Sequence, residues 1–482
     1  MQRGIVKQLA AIVGREHLTT VREELSCYSY DSTGTSCPPA AVVFPRDTGQ
    51  VAALMRLADE RNIPVVLRGA GSSTTGGALP VPQCLVMVFS RMNRILEIDA
   101  ENMIAVVEPG VITGELRREA GKYGLAYPPD PASLKFCTIG GNAAECAGGP
   151  SAVKYGVTRD YILGLEAVLP GGDIIHTGVR TEKGVVGYDL TRLLVGSEGT
   201  LAAITRLTLR LVPLPEAKIT LLLECDSISR ATSLVSRLLQ AGFTPCTLEY
   251  MDHAAIEVVA ASLPHKLAPE TRALLILEFD GTADEVAAQQ AAVTAYLEKE
   301  PGITFQQATK KQEAEKLWQA RRSISPASFR IKPHKISEDV VVPRSRIPDL
   351  VRFTEKLAQN LQLRILTFGH AGDGNIHVNI MIDRTNQREY ENALQAKNDL
   401  FSHVLHLGGT LSGEHGVGTT KAPFLHLEID EPTLKLMKRL KQLFDPNTIL
   451  NPGKIFCDPS PSSAEVIRRH DKKDIDTDEG QI

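Results

Sequence analysis

The densest chemistry in this 482-residue chain is the run Phe368-Gly369-His370-Ala371-Gly372-Asp373-Gly374-Asn375-Ile376-His377-Val378-Asn379-Ile380. The apolar stretch 365–368 and the alternating stretch 376–380 read as two strands, with Gly-Asp-Gly-Asn as the hairpin turn between them. Such a hairpin brings His370 and His377 together, and strand alternation puts Asn379 on the same face as His377. Further on, Ser412-Gly413-Glu414-His415-Gly416-Val417-Gly418 is a second polar cluster flanked by glycines and followed by Lys421. His370, His377 and Glu414, two neutral imidazoles and a carboxylate, suit a divalent-metal site with positions open for substrate, and zinc, iron and manganese all accept such ligands. The adjacent His415 is a natural general base. Scattered loop histidines are the competing interpretation; glycines pinned around three of the twelve histidines suit close ligand approach better.

The first half offers a different chemistry. Val65-Val66-Leu67 leads into Arg68-Gly69-Ala70-Gly71-Ser72-Ser73-Thr74-Thr75-Gly76-Gly77. A strand that breaks into glycines and hydroxyls can present backbone N–H groups and side-chain O–H groups to a diphosphate. No Gly-Lys-Ser/Thr follows, so it is not a Walker loop, and the spacing does not fit the dinucleotide fingerprint. A second glycine-rich stretch runs from Pro128-Pro129-Asp130-Pro131 through Thr138-Ile139-Gly140-Gly141-Asn142-Ala143 to Gly148-Gly149-Pro150 and Lys154-Tyr155-Gly156, and Val195-Gly196-Ser197-Glu198-Gly199-Thr200-Leu201 follows. Two long polar glycine loops in one domain suggest an extended cofactor between them, although either could be a structural turn.

These segments need a scaffold. Residues 41–215 alternate short Val/Ile/Leu-rich strands with helices predicted at 49–62 and 112–123, an α/β or α+β pattern. Pro213-Leu214-Pro215-Glu216-Ala217-Lys218 marks a boundary. Residues 216–457 then show strands at 220–223, 273–279 and 364–368 between helices at 229–241, 283–299, 349–360, 388–407 and 431–444. Residues 1–40 read as a helix with Ile5, Leu9, Ile12 and Val13 at helical spacing, then a loop, rather than a signal peptide. The polar stretch 458–482 reads as disordered. A net charge of −4 gives no basic field for nucleic acid or anionic lipid, and no apolar run has membrane-spanning length, so a cytoplasmic protein is expected. Eight cysteines without a C-x-x-C pair point to isolated reduced thiols and no Fe–S cluster held by this chain.

Taken together and in order, Pro45-x5-Val51, R-G-A-G-S-S-T-T-G, T-I-G-G-N, K-Y-G and V-G-S-E-G-T-L resemble the FAD-binding domain of the vanillyl-alcohol oxidase superfamily over residues 40–213. The resemblance implies an α+β fold: a two-subdomain FAD-binding domain of the PCMH type, plus an α+β cap domain with an antiparallel sheet. It implies FAD contacts from Arg68, Gly69, Ala70, Gly71, Ser72, Ser73, Gly76, Pro129, Asp130, Thr138, Gly140, Gly141, Asn142, Gly148, Tyr155, Gly156, Glu198 and Gly199, and from Asn451 in the closing N-P-G-K segment, which returns towards the flavin. Some relatives attach FAD through a histidine in the first loop; Ser72 and Ser73 stand there, which implies non-covalent FAD, with Cys137 and Cys146 as the other nearby nucleophiles.

H-x-G-D-G-N-x-H and the Glu-His pair resemble, within that superfamily, the D-lactate dehydrogenase, glycolate oxidase and D-2-hydroxyglutarate dehydrogenase group. This implies that His370, His377 and Glu414 bind the metal, that Asn379 touches substrate and that His415 takes the hydroxyl proton. Arg321, after the single tryptophan Trp318, would hold the substrate carboxylate with the planar fork of its guanidinium, and Lys335 would be a second cation. The implied reaction oxidises a small 2-hydroxy acid, of D configuration, to the 2-oxo acid. Electrons would then pass to an electron-transfer flavoprotein, an Fe–S subunit or quinone, with direct oxidase action as the alternative. A homodimer is compatible with the sequence. Two other readings keep the same glycine loops: a non-catalytic FAD-binding subunit of a larger complex, and a non-redox relative of the ether-lipid synthases.

Overall fold

The computed structural model describes residues 1–264 and 266–456; the expected disorder of 458–482 lies outside the described residues. The fold is α+β and is built on three main sheets. Strands Ala41–Val43, Leu85–Val88 and Val65–Arg68 run parallel, with Leu18–Thr19 antiparallel at one edge. Parallel neighbours require a crossover, and helix Thr48–Glu60 lies between the first and last of these strands in sequence. Asp47 caps that helix by accepting from Gln50 N at 2.8 Å, an interaction worth about 1 kcal/mol. Val51, Leu54, Met55 and Ala58, at helical spacing, are buried against the sheet. Helix Arg3–Val13 adds Leu9 and Val13 to the same core.

Five antiparallel strands, in the order Ile95–Asp99, Ile104–Val107, Ala203–Arg210, Ile162–Val168 and Ile174–Gly178, form the second sheet. The third has seven antiparallel strands in the order Ile303–Gln307, Ala217–Cys225, Ala273–Gly281, Thr247–Asp252, Arg364–His370, Asn375–Ile382 and His334–Val341. One of its faces packs on helices Ile228–Gln240, Ala283–Leu297, Ile347–Asn360 and Gln387–His406. The other is covered in part by helices His253–Val259 and Lys311–Ala327, and there the polar residues gather. Near the end of the chain Leu450 bridges in parallel to Val65, so Ile449 and Leu450 complete the core of the first sheet.

The T-I-G-G-N segment, read above as loop, is a short helix at Ile139–Glu145. Thr138 caps it by accepting from Gly141 N at 3.2 Å, and Gly140 lies against Pro109, where a Cβ would be 2.5 Å from the proline ring. Strands Thr247–Asp252 and His334–Val341 were not anticipated. Among the described residues no helix is long and apolar enough to cross a membrane.

Candidate active site

The hairpin places its histidines as its spacing predicts. His370 ends strand Arg364–His370 opposite Asn375, and Phe368 pairs with His377, so residues 368, 370, 377 and 379 share one face. Gly374 turns the chain at φ 93°, where a Cβ would also overlap Val342 O. Gly374→Ala is expected to lower stability by about 1–3 kcal/mol from the backbone alone. An unchanged thermal midpoint would show that the turn takes another path.

Neighbouring strands extend this polar face. Glu249 is in register with His370, and Asp339 with His377. The loop bearing Glu414 and His415 closes over it. His370 Nε2 and His377 Nε2 lie 3.4 and 3.7 Å from Glu414 Oε1, and the three potential ligand atoms are within 4.8 Å of one another. His370 Nδ1 donates to Glu249 Oε1 at 2.5 Å, which aims Nε2 at Glu414; metal-binding histidines are commonly oriented by such a partner. His415 stacks on His377 with ring centroids 5.3 Å apart. Its Nδ1 lies 3.4 Å from Asp339 Oδ1 without a hydrogen bond. Asp339 Oδ2 accepts the backbone N–H groups of Gly413, Glu414 and His415 at 3.0, 2.8 and 2.9 Å, and Lys421 pairs with Oδ1.

Two buried carboxylates, Glu249 and Asp339, and the half-buried Glu414 face Arg321, Lys421 and His370. Burial lowers the pKa of His370, but Glu249 and Glu414 outweigh it and hold the imidazole well above its usual range. Burial and the adjacent His370 push His377 well below its usual range, which favours a neutral ligand. Burial raises Glu414, yet His370 and the other two imidazoles bring it down to about 2. Convergent donors and an open face fit a divalent cation, which would take the place of the proton on His370.

A single cavity of about 1210 Å³ runs from this cluster into the first half of the chain. Its lining includes Arg68, Gly69, Ala70, Gly71, Ser72, Ser73, Asp130, Thr138, Gly140, Gly141, Asn142, Gly148, Glu198, Gly199 and Asn451 together with His370, His377, Glu414 and His415. This volume exceeds what one small substrate fills. Thr74 Oγ1, Glu145 Oε2 and Asn451 Oδ1 are buried polar atoms of this lining without a protein partner. A Cβ on Gly69 would collide with Thr138 Oγ1, and one on Gly148 would lie 2.9 Å from Glu414 Oε2, so glycine is what lets the walls meet this closely. The lining suits a long cofactor with polar groups along its length, as FAD is.

Four residues of the expected FAD set lie outside the lining. Gly76 accepts Lys454 Nζ at its carbonyl at 2.6 Å; Arg117 Nη1 donates to Pro129 O at 3.5 Å; Tyr155 donates to Asp280 Oδ2 at 2.9 Å; Gly156 ends helix Ala152–Tyr155 at φ 80°. Asn379 is fully buried behind the wall and accepts from Ser337 Oγ at 2.7 Å. Arg321 lines the cavity but already has a counter-charge, with Nη2 2.6 Å from Glu249 Oε2. Lys335 lines it too and donates to Ser325 Oγ at 2.6 Å; among the described residues it has no carboxylate partner. Trp318 reaches the lining and donates Nε1 to Glu278 Oε1 at 2.7 Å. Glu249 and Asp339 went unrecognised in the sequence, where the available signal was acids standing inside otherwise apolar strands.

Comparison with known proteins accords with this geometry. Residues 39–178 match the FAD binding domain family, and residues 214–455 match the C-terminal domain of FAD linked oxidases. The chain is 43% identical over 456 residues to the glycolate oxidase subunit GlcD of Bacillus subtilis strain 168, covering 94% of this chain and 97% of that one. It is 36% identical over 437 residues to a D-lactate dehydrogenase of Archaeoglobus fulgidus, covering 89% and 95%. In fold it is similar to p-cresol methylhydroxylase solved with substrate bound, with a TM-score of 0.81 at 18% identity over 95% of this chain and 98% of that one. The chain therefore belongs to the FAD-linked oxidases with a PCMH-type FAD-binding fold, and it is an FAD-linked oxidoreductase.

Proposed function

We propose that this enzyme oxidises a small 2-hydroxy acid, of D configuration, to the 2-oxo acid, with FAD held non-covalently by residues 41–215 and the substrate held by residues 216–457. The single cavity joining the glycine segments to the histidine–carboxylate cluster carries this reading. The reactions named in glycolate oxidase and D-lactate dehydrogenase support the substrate class. Bound FAD supplies the acceptor for the two electrons that leave with the α-hydrogen. A divalent cation held by His370, His377 and Glu414 would supply Lewis acidity at a substrate oxygen. His415 takes the hydroxyl proton on its cavity-facing imidazole. Lys335, one of the lining cations without a carboxylate partner among the described residues, draws the substrate carboxylate, and Arg321 shapes the same wall from its pair with Glu249. Electrons then leave to an electron-transfer flavoprotein, an Fe–S subunit or quinone.

The test is anaerobic addition of D-lactate, glycolate, D-2-hydroxyglutarate and the L-forms to protein purified without chelator. Bleaching of the flavin absorbance by one of them supports the reading and names the substrate; if none bleaches flavin in a protein with flavin and metal both present, the reading fails.

Lys335 gives this binding a pH signature. Burial lowers its ammonium pKa to about 8, so it is charged below that pH and neutral above it. KM for the hydroxy acid is expected to rise as pH climbs through about 8, and Lys335→Met is expected to raise KM at neutral pH and abolish that rise. Identical KM–pH profiles in the two proteins would remove Lys335 from substrate binding.

A further inference from the structure

We infer that Thr75 and Glu198 are positioning residues that set His415 relative to the flavin cavity, an inference that rests on His415 being the base. The loop at 412–420 has no regular secondary structure, so its shape depends on its moorings. Its first half is fixed from the seven-stranded sheet, where Asp339 accepts three successive N–H groups ending at His415. Its second half is fixed from the other side of the cavity. Glu198 accepts from Val417 N through Oε1 and from Gly418 N through Oε2, both at 2.7 Å. Thr75 donates Oγ1 to His415 O at 2.9 Å, and its own carbonyl accepts from Thr419 N and Thr420 N at 2.8 and 3.1 Å. His415 thus sits where the two sets of moorings meet.

Both residues belong to segments that line the cavity. Thr75 lies in the first glycine loop, between the lining residues Thr74 and Gly77, and Glu198 is itself in the lining. Glu198 is buried and holds a left-handed backbone at φ 51°, a conformation that costs a non-glycine residue energy and persists only where surroundings enforce it. The enforcing contacts are its N–H to Ala144 O at 2.8 Å and Asn451 Nδ2 to its carbonyl at 2.6 Å. Gly416 and Gly418, at φ 77° and 53°, let the loop lie flush on these residues; a Cβ on Gly416 would be 2.9 Å from Glu198 Oε1, and one on Gly418 would overlap Thr75 O. One residue therefore ties together three segments: its backbone holds the end of helix Ile139–Glu145 and the C-terminal return, and its carboxylate holds the loop bearing His415.

The experiment uses FAD-loaded Glu198→Gln, Thr75→Val, Thr75→Ser and His415→Asn beside the parent, with a hydroxy acid that bleaches the parent. Glutamine has one side-chain acceptor for two N–H groups, and valine removes the hydroxyl at nearly equal volume. Displacing a catalytic group by about 1 Å costs about 100-fold, so Glu198→Gln and Thr75→Val are expected to lower the limiting rate of flavin reduction by about 10- to 100-fold. Half-saturating substrate concentration should hold, and the rate is read per bound flavin because Glu198 also lines the flavin cavity. Thr75→Ser, which keeps the hydroxyl, should recover most of the rate. A normal rate per bound flavin in Glu198→Gln and Thr75→Val, with or without loss of flavin, overturns the inference. If Glu198→Gln does not fold, the Thr75 pair decides. A fast His415→Asn overturns the base assignment itself, whereas a slow His415→Asn beside normal Thr75→Val and Glu198→Gln overturns only the positioning role.

Discussion

His415→Asn is expected to slow anaerobic flavin bleaching by about 10²–10⁴-fold, the usual contribution of a positioned general base, while flavin content stays at the parent level. The structure makes this substitution selective. The moorings of residue 415 are backbone groups, its N–H to Asp339 and its carbonyl to Thr75, and asparagine keeps both. The imidazole is half-buried in the cavity lining, and its Nδ1 makes no hydrogen bond among the described residues. What asparagine lacks is a ring nitrogen with a lone pair that can accept a proton. Stopped-flow reduction with the best substrate measures the effect directly. A rate within a few-fold of the parent would mean that another group takes the hydroxyl proton.

How much of this site was legible in the sequence differs by residue, for physical reasons. His370, His377, Glu414 and His415 stood out because glycines flank them and a hairpin spacing joins the first two. Amphipathic helices were legible for the same kind of reason: helix Glu431–Phe444 has the bounds read from its pattern, and helix Ile228–Gln240 is shifted by one residue at each end. Strands Thr247–Asp252 and His334–Val341 were not, because Glu249, Glu338 and Asp339 interrupt their apolar character and acids in a strand ordinarily mark solvent. Here those acids face a buried cation or imidazole, which only the tertiary fold supplies. Helix Ile139–Glu145 was hidden by two glycines, each of which disfavours helix by about 1 kcal/mol, offset by the Thr138 cap and the close approach to Pro109. The pairing of Glu249 with His370, across 121 residues, has no local signal.

The other large effect belongs to that pairing. Glu249→Gln is expected to lower folding stability by about 3–5 kcal/mol, the cost of removing one partner from a buried ion pair, and to weaken divalent-metal binding by about 10–100-fold. Glu249 is fully buried, and its two oxygens serve two cationic groups: Oε1 accepts from His370 Nδ1 at 2.5 Å and Oε2 lies 2.6 Å from Arg321 Nη2. Burial would raise its pKa, but Arg321 and then His370 hold it below the usual range, so the carboxylate is charged at neutral pH. Glutamine still offers one oxygen to the imidazole, but its amide then points N–H groups at the guanidinium and leaves that charge buried without a counter-charge. Adding Arg321→Met to Glu249→Gln removes the stranded charge and should recover most of the stability, while metal content stays low because His370 still lacks its carboxylate partner. Denaturant unfolding of the two variants, with metal analysis on each, separates the roles. If Glu249→Gln matches the parent in both measurements, Glu249 neither balances Arg321 nor orients His370. If the double variant regains metal along with stability, the low metal content of Glu249→Gln came from the stranded Arg321 rather than from a misaligned His370.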